Sequence, residues 1–349
     1  MKNVFKKIFD KKNKEKILIC EISSNHSNTY ITAKKLIIEA IKQKVDLVKF
    51  QVYTPNTLTL NCNSREFLIK NKNWKKHKNL YKLFKKSHTP WDWIKKLVKI
   101  LDKHNISWFA SAFDQSSVDF LESLKCKAYK IASAEITDVN LINYIAKKNK
   151  PIILSTGMSE EKDLNLAIKT IKKYHSKFAI LKCTSKYPAS YKDLNLSSII
   201  KIKKKYRCVV GFSDHTLDNL AAYISVVYGS TIVEKHFKLD KDKISTDSHF
   251  SSPISSYQKI KKSLNDVNLC IGKENFGFKI STEQKNSRRS IYVSKNIKKN
   301  YKITINNIKS VRPGFGLHPK FFNEILGKTV KKNLYYGSPL KIKDINLDD

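Results

Sequence analysis

Two lysines stand inside apolar runs: Lys49 in LVKFQVY and Lys130 in YKIAS. An ammonium in such a run is costly unless it is paired or meets an anion. With hydroxyls nearby, the pair suits a phosphate and a carboxylate. Hydroxyls do recur at the ends of similar runs: Ser23, Ser111, Ser133, Ser155, Thr156, Thr184, Ser185 and Ser213. Glu21, Glu135 and Glu234 lie at comparable places. Two histidines also end runs, His215 in GFSDHT and His236 in VEKHF. On neighbouring strands, two imidazoles suit a divalent ion such as Mn2+ or Zn2+, completed by water and substrate oxygens. Each residue alone has a plain structural reading: a hydrogen-bonded histidine, a solvated lysine, a serine capping the next helix. The chemical reading rests on their joint occurrence at one face.

The elements that must position them repeat regularly. Apolar β-type runs at residues 17–23, 47–53, 107–113, 128–133, 151–157, 178–184, 208–214 and 231–237 are each followed by a helical stretch. Clear helical stretches are 31–44, 141–148, 164–174 and 220–228. Strands alternating with helices predict parallel βαβ units, and eight in a row predict a closed (β/α)8 barrel of the TIM type. A doubly wound open sheet is the alternative. In a barrel, polar residues at strand C-termini face the active site. An Asn/Lys-rich insertion between Tyr53 and Pro90 falls on that face, where long connections act as lids or binding loops. After Gly272 the pattern changes to short β-like runs. The chain divides into an N-terminal arm (1–16), a barrel (17–272), a linker (273–289) and a small domain (290–349).

The chain has 349 residues, enough for one barrel and one small domain, and a hydrophobic fraction of 41% supports a sizeable core. The net charge of +38 on its face suggests nucleic acid. The excess is lysine, however, spread along the whole length with asparagine. Arginine, the side chain suited to forked phosphate and base recognition, occurs only at Arg65, Arg207, Arg288, Arg289 and Arg312. The pattern reads as compositional drift rather than a nucleic-acid site. Tight, salt-sensitive DNA binding without turnover would mark the contrary. Six cysteines without a Cys-x-x-Cys pair suit a reducing cytoplasm. No stretch approaches the ~20 apolar residues of a membrane span. The first 16 residues carry no signal-peptide core and read as a solvated arm or a short amphipathic turn.

CEISSNH, VKFQ, YKIAS, LSTGM, KCTSKYPA, GFSDHT and EKHF, in that order, resemble the signature segments of the sialic acid synthases. The tail, with RRSIYVSKNI, RPGFGL, ILGK and GSPLKIKDI, resembles the antifreeze-like SAF domain that ends this family. The resemblance covers roughly residues 17 to 345. It implies condensation of phosphoenolpyruvate with an open-chain N-acetylated amino sugar, giving a nonulosonic acid and phosphate. Within the family, YTPNTLTL, SHTPWDW, ASAEITD and KCTSKYPA are closer to pseudaminic acid synthases, implying a 2,4-diacetamido-2,4,6-trideoxy hexose of the altrose type. N-acetylmannosamine and the legionaminic acid precursor are the alternative acceptors. A more distant alternative is a barrel acting on a phosphorylated sugar such as arabinose 5-phosphate, against which the C-terminal domain argues.

By position and resemblance, Lys49, Ser111, Lys130, Ser133, Ser155, Ser185 and Ser213 bind phosphoenolpyruvate. His215 and His236 hold the metal, expected to be Mn2+, with Mg2+ or Co2+ as alternatives. Glu21 and Glu135 stabilise the cation at carbon 2 and handle the water proton. Tyr187, Asp247 and Arg312 contact the sugar. The resemblance also implies a domain-swapped homodimer in which one subunit's cap closes the other's site. Among departures from the family pattern, Cys20, Asn28 and Asp218 are small changes near turns. His249, in DSHFS where DSAFS is more typical, stands near the sugar site.

Overall fold

Eight runs whose residues are almost all buried form eight strands: β1 (Ile17–Glu21), β2 (Leu47–Val52), β3 (Ser107–Ala112), β4 (Tyr129–Ile131), β5 (Ile152–Ser155), β6 (Phe178–Cys183), β7 (Val209–Asp214) and β8 (Ile232–Lys238). Continuous apolar runs are what strands covered on both faces require. In the computed structural model, which describes residues 4–10, 12–272 and 279–347, consecutive strands pair in parallel and β8 pairs back onto β1. That closure makes a barrel and removes the open-sheet alternative. A two-residue strand, β9 (Ser252–Pro253), extends β8 on the outside.

The arm is not solvated. Val4, Phe5 and Ile8 form the apolar stripe of a short helix, α1 (Val4–Phe9), and all three are buried in the main core. The Phe5 ring meets Phe109 of β3 edge-on at 5.8 Å between centroids. Burying each such side chain contributes about 1.5–3 kcal/mol, which offsets the entropy of ordering one helical turn.

The outer layer comprises α2 (Tyr30–Lys42), α5 (Trp91–Lys103), α6 (Gln115–Ser123), α7 (Val139–Lys147), α8 (Glu161–Lys172), α9 (Ser198–Tyr206), α10 (Leu220–Val227) and α11 (Tyr257–Ile271). Two further helices, α3 (Pro55–Leu58) and α4 (Leu80–Ser87), lie in the insertion after β2. Helix α5 shows why these helices lie where they do. Its Ile94, Leu97, Val98 and Leu101 recur at helical spacing and are buried, while the lysines between them face outward. Asp114, at the end of β3, caps α6 by accepting from the Ser117 N–H at 2.9 Å.

Register decides which strand residues face the axis. Ser213 pairs with Glu234 across β7 and β8, and Asp214 pairs with Lys235. Alternate residues point to opposite faces. Ser213, Glu234 and His236 therefore line the barrel mouth. Lys235 is instead locked to Asp214 at 2.8 Å and donates to the carbonyls of Thr216 and Asp218.

The chain separates into two compact units, Met1–Gly272 and Lys273–Asp349. The second unit has its own core, including Ile291, Val293, Ile303, Val330, Leu340 and Ile345. Part of the expected linker, residues 273–278, lies outside the described residues, as do residues 1–3 and 11 of the arm. A short helix, α12 (Thr282–Asn286), follows in the second unit. The Asn286 carbonyl accepts from Gly314 N–H at 2.8 Å, so residues 282–289 are tied into the small domain rather than merely connecting to it. Strands β10 (Ser290–Val293) and β11 (Ile308–Val311) pair antiparallel there.

Candidate active site

A cavity of about 560 Å3 opens at the C-terminal ends of the barrel strands. Lys49 lies on its floor and is 3% exposed. The ammonium forms an ion pair with Glu21 of β1, approaches Glu234 Oε1 at 3.6 Å and donates to Ser111 Oγ at 3.3 Å. Lys130, 2% exposed, donates to Ser155 Oγ at 2.6 Å. Register sets Glu21 beside Lys49 and Ser111 beside Lys130, and the long lysine side chains reach beyond their own pairs to Ser111 and Ser155.

Charges on this floor are set by burial and proximity. Burial pushes the Glu21 carboxyl up to about 7, against the pull of Lys49 and with a push from Glu234. Glu234 is held below its ordinary value: burial opposes ionisation, but Lys49, Lys130 and His215 outweigh it. Burial lowers Lys49 while Glu21 and Glu234 raise it, and the net direction is up. Lys130 is lowered by burial, so an arriving phosphate or carboxylate would restore its preference for charge.

His215 and His236 stand side by side, with ring centroids 5.3 Å apart. His215 Nδ1 lies 3.0 Å from the Thr184 carbonyl oxygen, which makes Nδ1 a donor; burial opposes a charged ring, but Cys183, that carbonyl and Glu234 raise its pKa, so a metal ion would have to displace a proton from Nε2. His236 Nδ1 is buried and has no hydrogen-bond partner among the described residues. Burial, followed by His215 and the nearby lysines, lowers its pKa well below the usual value, keeping the ring neutral. Two neutral-capable imidazoles, one with an orphaned nitrogen, fit a divalent cation. Among the described residues no group of three or more His, Cys, Asp or Glu side chains is arranged to hold an ion. The protein would therefore supply two nitrogens and leave the remaining positions to water and substrate.

Above this pair the cavity is lined by Tyr187, Asp247 and Phe250. Tyr187 is joined to Pro188 by a cis peptide bond, and its ring packs on His215 at 4.5 Å between centroids. Asp247 Oδ2 accepts from Ser23 Oγ at 2.5 Å, and Ser23 Oγ accepts from Gln51 Nε2 at 2.9 Å. The insertion forms the outer wall, contributing Leu68, Ile69, Trp74, Leu83 and Phe84 among others.

A profile of the NeuB family matches residues 36–276, and one of the SAF domain matches residues 288–346. The chain belongs to the NeuB family. Pseudaminic acid synthase of Campylobacter jejuni is 38% identical over 337 residues, covering 95% of this chain and 97% of that one. N,N'-diacetyllegionaminic acid synthase of Legionella pneumophila is 31% identical over 338 residues, covering 93% and 92%. A crystal structure of N-acetylneuraminic acid synthetase from Leptospira borgpetersenii, in complex with citrate, matches with a TM-score of 0.66 and 27% identity, over 77% of this chain and 90% of that one.

In this NeuB-family barrel, the residues nominated from sequence divide into three groups. Lys49, Ser111, Lys130, Ser133, Ser155, Tyr187, Ser213, His215, His236 and Asp247 line one cavity. Glu21, Glu135 and Ser185 are close by but do not line it. Glu21 is fully buried beside Lys49, and the Glu135 carboxyl is pushed up to about 7 by burial. Arg312 belongs to the second unit, where it lines a separate cavity with Arg288, Arg289 and Glu283. Cys183, Gln51 and Phe250 also line the barrel cavity, and the sequence reading gave none of them a role. Nor did it give one to Glu234, although that residue was noted at a strand end. Cys183 is lowered to about 7; burial raises it, but His215, Ser133 and Lys130 outweigh that.

Gly157 in LSTGM fills a position that tolerates no side chain. A Cβ there would collide with Ser185 Oγ and stand 2.8 Å from Ser133 Oγ and 3.0 Å from Cys183 Sγ. The Gly157 N–H also donates to Ser133 Oγ at 3.0 Å. Gly157→Ala is expected to push this hydroxyl wall inward and lower kcat/KM for the anionic substrate about 10²-fold, with kcat less affected. Steady-state kinetics check it, and an unchanged KM would contradict the tight packing.

Proposed function

We propose that this protein condenses phosphoenolpyruvate with open-chain 2,4-diacetamido-2,4,6-trideoxy-altrose and water, giving pseudaminic acid and phosphate. The observation that carries the reading is the pair of buried lysines, Lys49 and Lys130, facing one cavity with His215 and His236. The 38% identity to pseudaminic acid synthase along nearly the whole chain supports the choice of acceptor. The two ammonium groups neutralise the phosphate and carboxylate. Ser111, Ser133, Ser155 and Ser213 donate to their oxygens, and Ser185 stands behind the lining against Gly157.

A divalent cation held by His215 and His236, Mn2+ in this reading, supplies Lewis acidity at the acceptor's aldehyde oxygen. Carbon 3 of phosphoenolpyruvate forms the new bond to the aldehyde carbon. The cation left at carbon 2 takes up water, and the tetrahedral intermediate collapses with loss of phosphate. Glu234, ionised and lining the cavity, stabilises the positive charge at carbon 2. Glu21 acts through Lys49 as a positioning residue. Glu135, pushed up to about 7 by burial, stands behind the cavity lining and would exchange a proton with the reacting water only through an intervening group. Tyr187 and Asp247 hold the acceptor.

The test is phosphate release by purified protein supplied with Mn2+. It is run with the altrose-type sugar, with the legionaminic acid precursor, with N-acetylmannosamine and without sugar, each with and without EDTA. Release with the altrose-type sugar alone, abolished by EDTA, supports the reading. Release with a different acceptor replaces the sugar, and no release with any of them removes the synthase reading.

Three of the chain's five arginines, Arg288, Arg289 and Arg312, converge on one cavity of the small domain. In a chain otherwise drifted to lysine, that concentration supports a forked contact to an acetamido oxygen. The small domain acts, in this proposal, on the partner subunit's barrel in a swapped homodimer. Arg312→Ala is expected to raise KM for the sugar more than tenfold and leave KM for phosphoenolpyruvate unchanged. Co-expressing Arg312→Ala and Lys49→Met chains should recover about a quarter of wild-type activity at low sugar concentration, because only mixed dimers hold an intact site. Equal loss for both substrates, or no recovery, would remove the assignment.

A further inference from the structure

The two histidines at the barrel mouth are held in different ways. His236 lies within β8, and the strand sets its place. His215 stands one residue past the end of β7, on the turn of residues 214–218. From the β6 side that turn is tied twice. The Ala189 N–H donates to the His215 carbonyl at 2.9 Å, and the ring Nδ1 meets the Thr184 carbonyl at 3.0 Å. From the β8 side one side chain does the tying. Lys235 is 1% exposed, and strand alternation directs it away from the cavity. Its ammonium donates to Asp214 Oδ2 at 2.8 Å, to the Thr216 carbonyl at 3.0 Å and to the Asp218 carbonyl at 2.8 Å. Asp214 Oδ1 in turn accepts from the Thr216 N–H at 2.9 Å and from its hydroxyl at 2.7 Å.

An ammonium has three protons to donate, and all of these are spent on the turn around His215. A buried ion pair is a weak source of stability, since apolar side chains of similar size can hold a core as well. The identity of the acceptors says more. Asp214 precedes His215, and Thr216 and Asp218 follow it. The ammonium therefore fixes the backbone path through His215 from the residue that immediately precedes His236. We propose that Lys235 is a positioning residue that sets the spacing of the two imidazoles, and with it the affinity of the site for a divalent cation. This inference rests on the proposed function, in which His215 and His236 hold that cation. The rings lie 5.3 Å apart between centroids. A metal–nitrogen bond tolerates roughly 0.2 Å of misplacement. A turn released on its β8 side would hold the ion less tightly although both ligands remain.

The test reads Mn2+ binding itself, as loss of the free-ion EPR signal when EDTA-treated and dialysed protein is titrated with Mn2+. Lys235→Met alone would leave Asp214 buried without its partner, so the variant combines Lys235→Met with Asp214→Asn, whose amide oxygen still accepts from Thr216. Its Kd for Mn2+ is expected to rise about 10- to 100-fold, the usual effect of losing a partner that orients a ligand. Phosphoenolpyruvate binding should stay within about threefold of wild type, because the lysines on the cavity floor are untouched. Lys261→Met controls for the loss of a buried ammonium as such. Lys261 pairs with Asp46 at the opposite end of the barrel. That variant should melt at a lower temperature and keep its Kd for Mn2+ within about twofold. Thr216→Val removes only the hydroxyl that bonds Asp214 and the Asp218 carbonyl. It should raise the Kd about threefold, and it decides the question if the double variant does not fold. An unchanged Kd in the double variant, or in Thr216→Val where that alone folds, overturns the inference and leaves the proposed function standing. Equal weakening in Lys261→Met also overturns it, as general loosening of the barrel. A wild-type protein that binds no Mn2+, or binds it as well after His236→Gln, overturns the metal reading and the inference together.

Discussion

Replacing Lys49 by methionine is expected to lower kcat/KM for phosphoenolpyruvate by about 10³-fold and to cost roughly 3–5 kcal/mol of stability. The activity loss follows from removing one of two cations on the cavity floor. The stability loss has a different source. Glu21 and Glu234 are both buried, and Lys49 is the cation between them. Without it two carboxylates face each other in a medium of low polarizability, where at most one can ionise. The Glu21 pKa then rises further above its unfolded value, and Glu234, held low in the intact site chiefly by Lys49, is pushed up as well. A carboxyl raised on folding contributes its stability below its unfolded pKa and loses it as pH rises through the folded value. The deficit of Lys49→Met should therefore be largest at pH 8 and shrink toward pH 6. Thermal melts across that range measure it. Lys49→Met combined with Glu21→Gln should recover much of the stability and none of the activity, separating the two effects. A single variant as stable as wild type at pH 8 would show that the ion pair does not organise the floor.

The reach of the sequence in this fold can be traced to particular residues. Strand positions were legible because a buried parallel strand is a continuous apolar run, and the polar residues that interrupt one stand out. Lys49, Lys130, His215 and His236 were found that way, and all four line the cavity. Glu21 was found by the same signal but lies one layer down, because parity gives the face and not the depth. Asp114, just past the end of β3, is a helix cap, a role that Ser, Thr and Asp at strand ends share with binding. Cys183 carried no signal, since a cysteine in an apolar run reads as a small hydrophobe. The insertion was placed on the correct face by topology. Its contribution to the cavity lining was not legible, because Leu68, Ile69, Leu83 and Phe84, with Glu66, Lys70 and Asn71 among them, follow no period. Asn73 and Trp74 fasten the insertion to the rest of its own barrel, donating to the Tyr187 and Thr246 carbonyls. Of the two readings of the arm, the short amphipathic turn holds and the solvated arm does not: three apolar residues in six could not decide between them until Phe109 is there to meet Phe5.

His236→Gln is expected to abolish condensation, by at least about 10³-fold, and to leave phosphoenolpyruvate binding nearly intact. The two effects separate because the lysines and hydroxyls proposed to hold the phosphate and carboxylate do not bond to His236. Its Nδ1 has no hydrogen-bond partner among the described residues and its ring packs on Phe250 at 4.8 Å between centroids, so glutamine loses little of the protein's own bonding. His215 is a poorer choice for this test, because removing it also frees the Thr184 carbonyl and the neighbourhood of Cys183. Direct titration with phosphoenolpyruvate measures the binding that remains, and phosphate release measures the turnover that is lost. Wild-type protein treated with EDTA should behave as the variant does and recover with Mn2+, whereas the variant should not recover. Turnover of His236→Gln within tenfold of wild type, or indifference of the wild type to EDTA, would mean that this imidazole is packing rather than a ligand. The charge for activating the aldehyde would then have to come from the lysines alone.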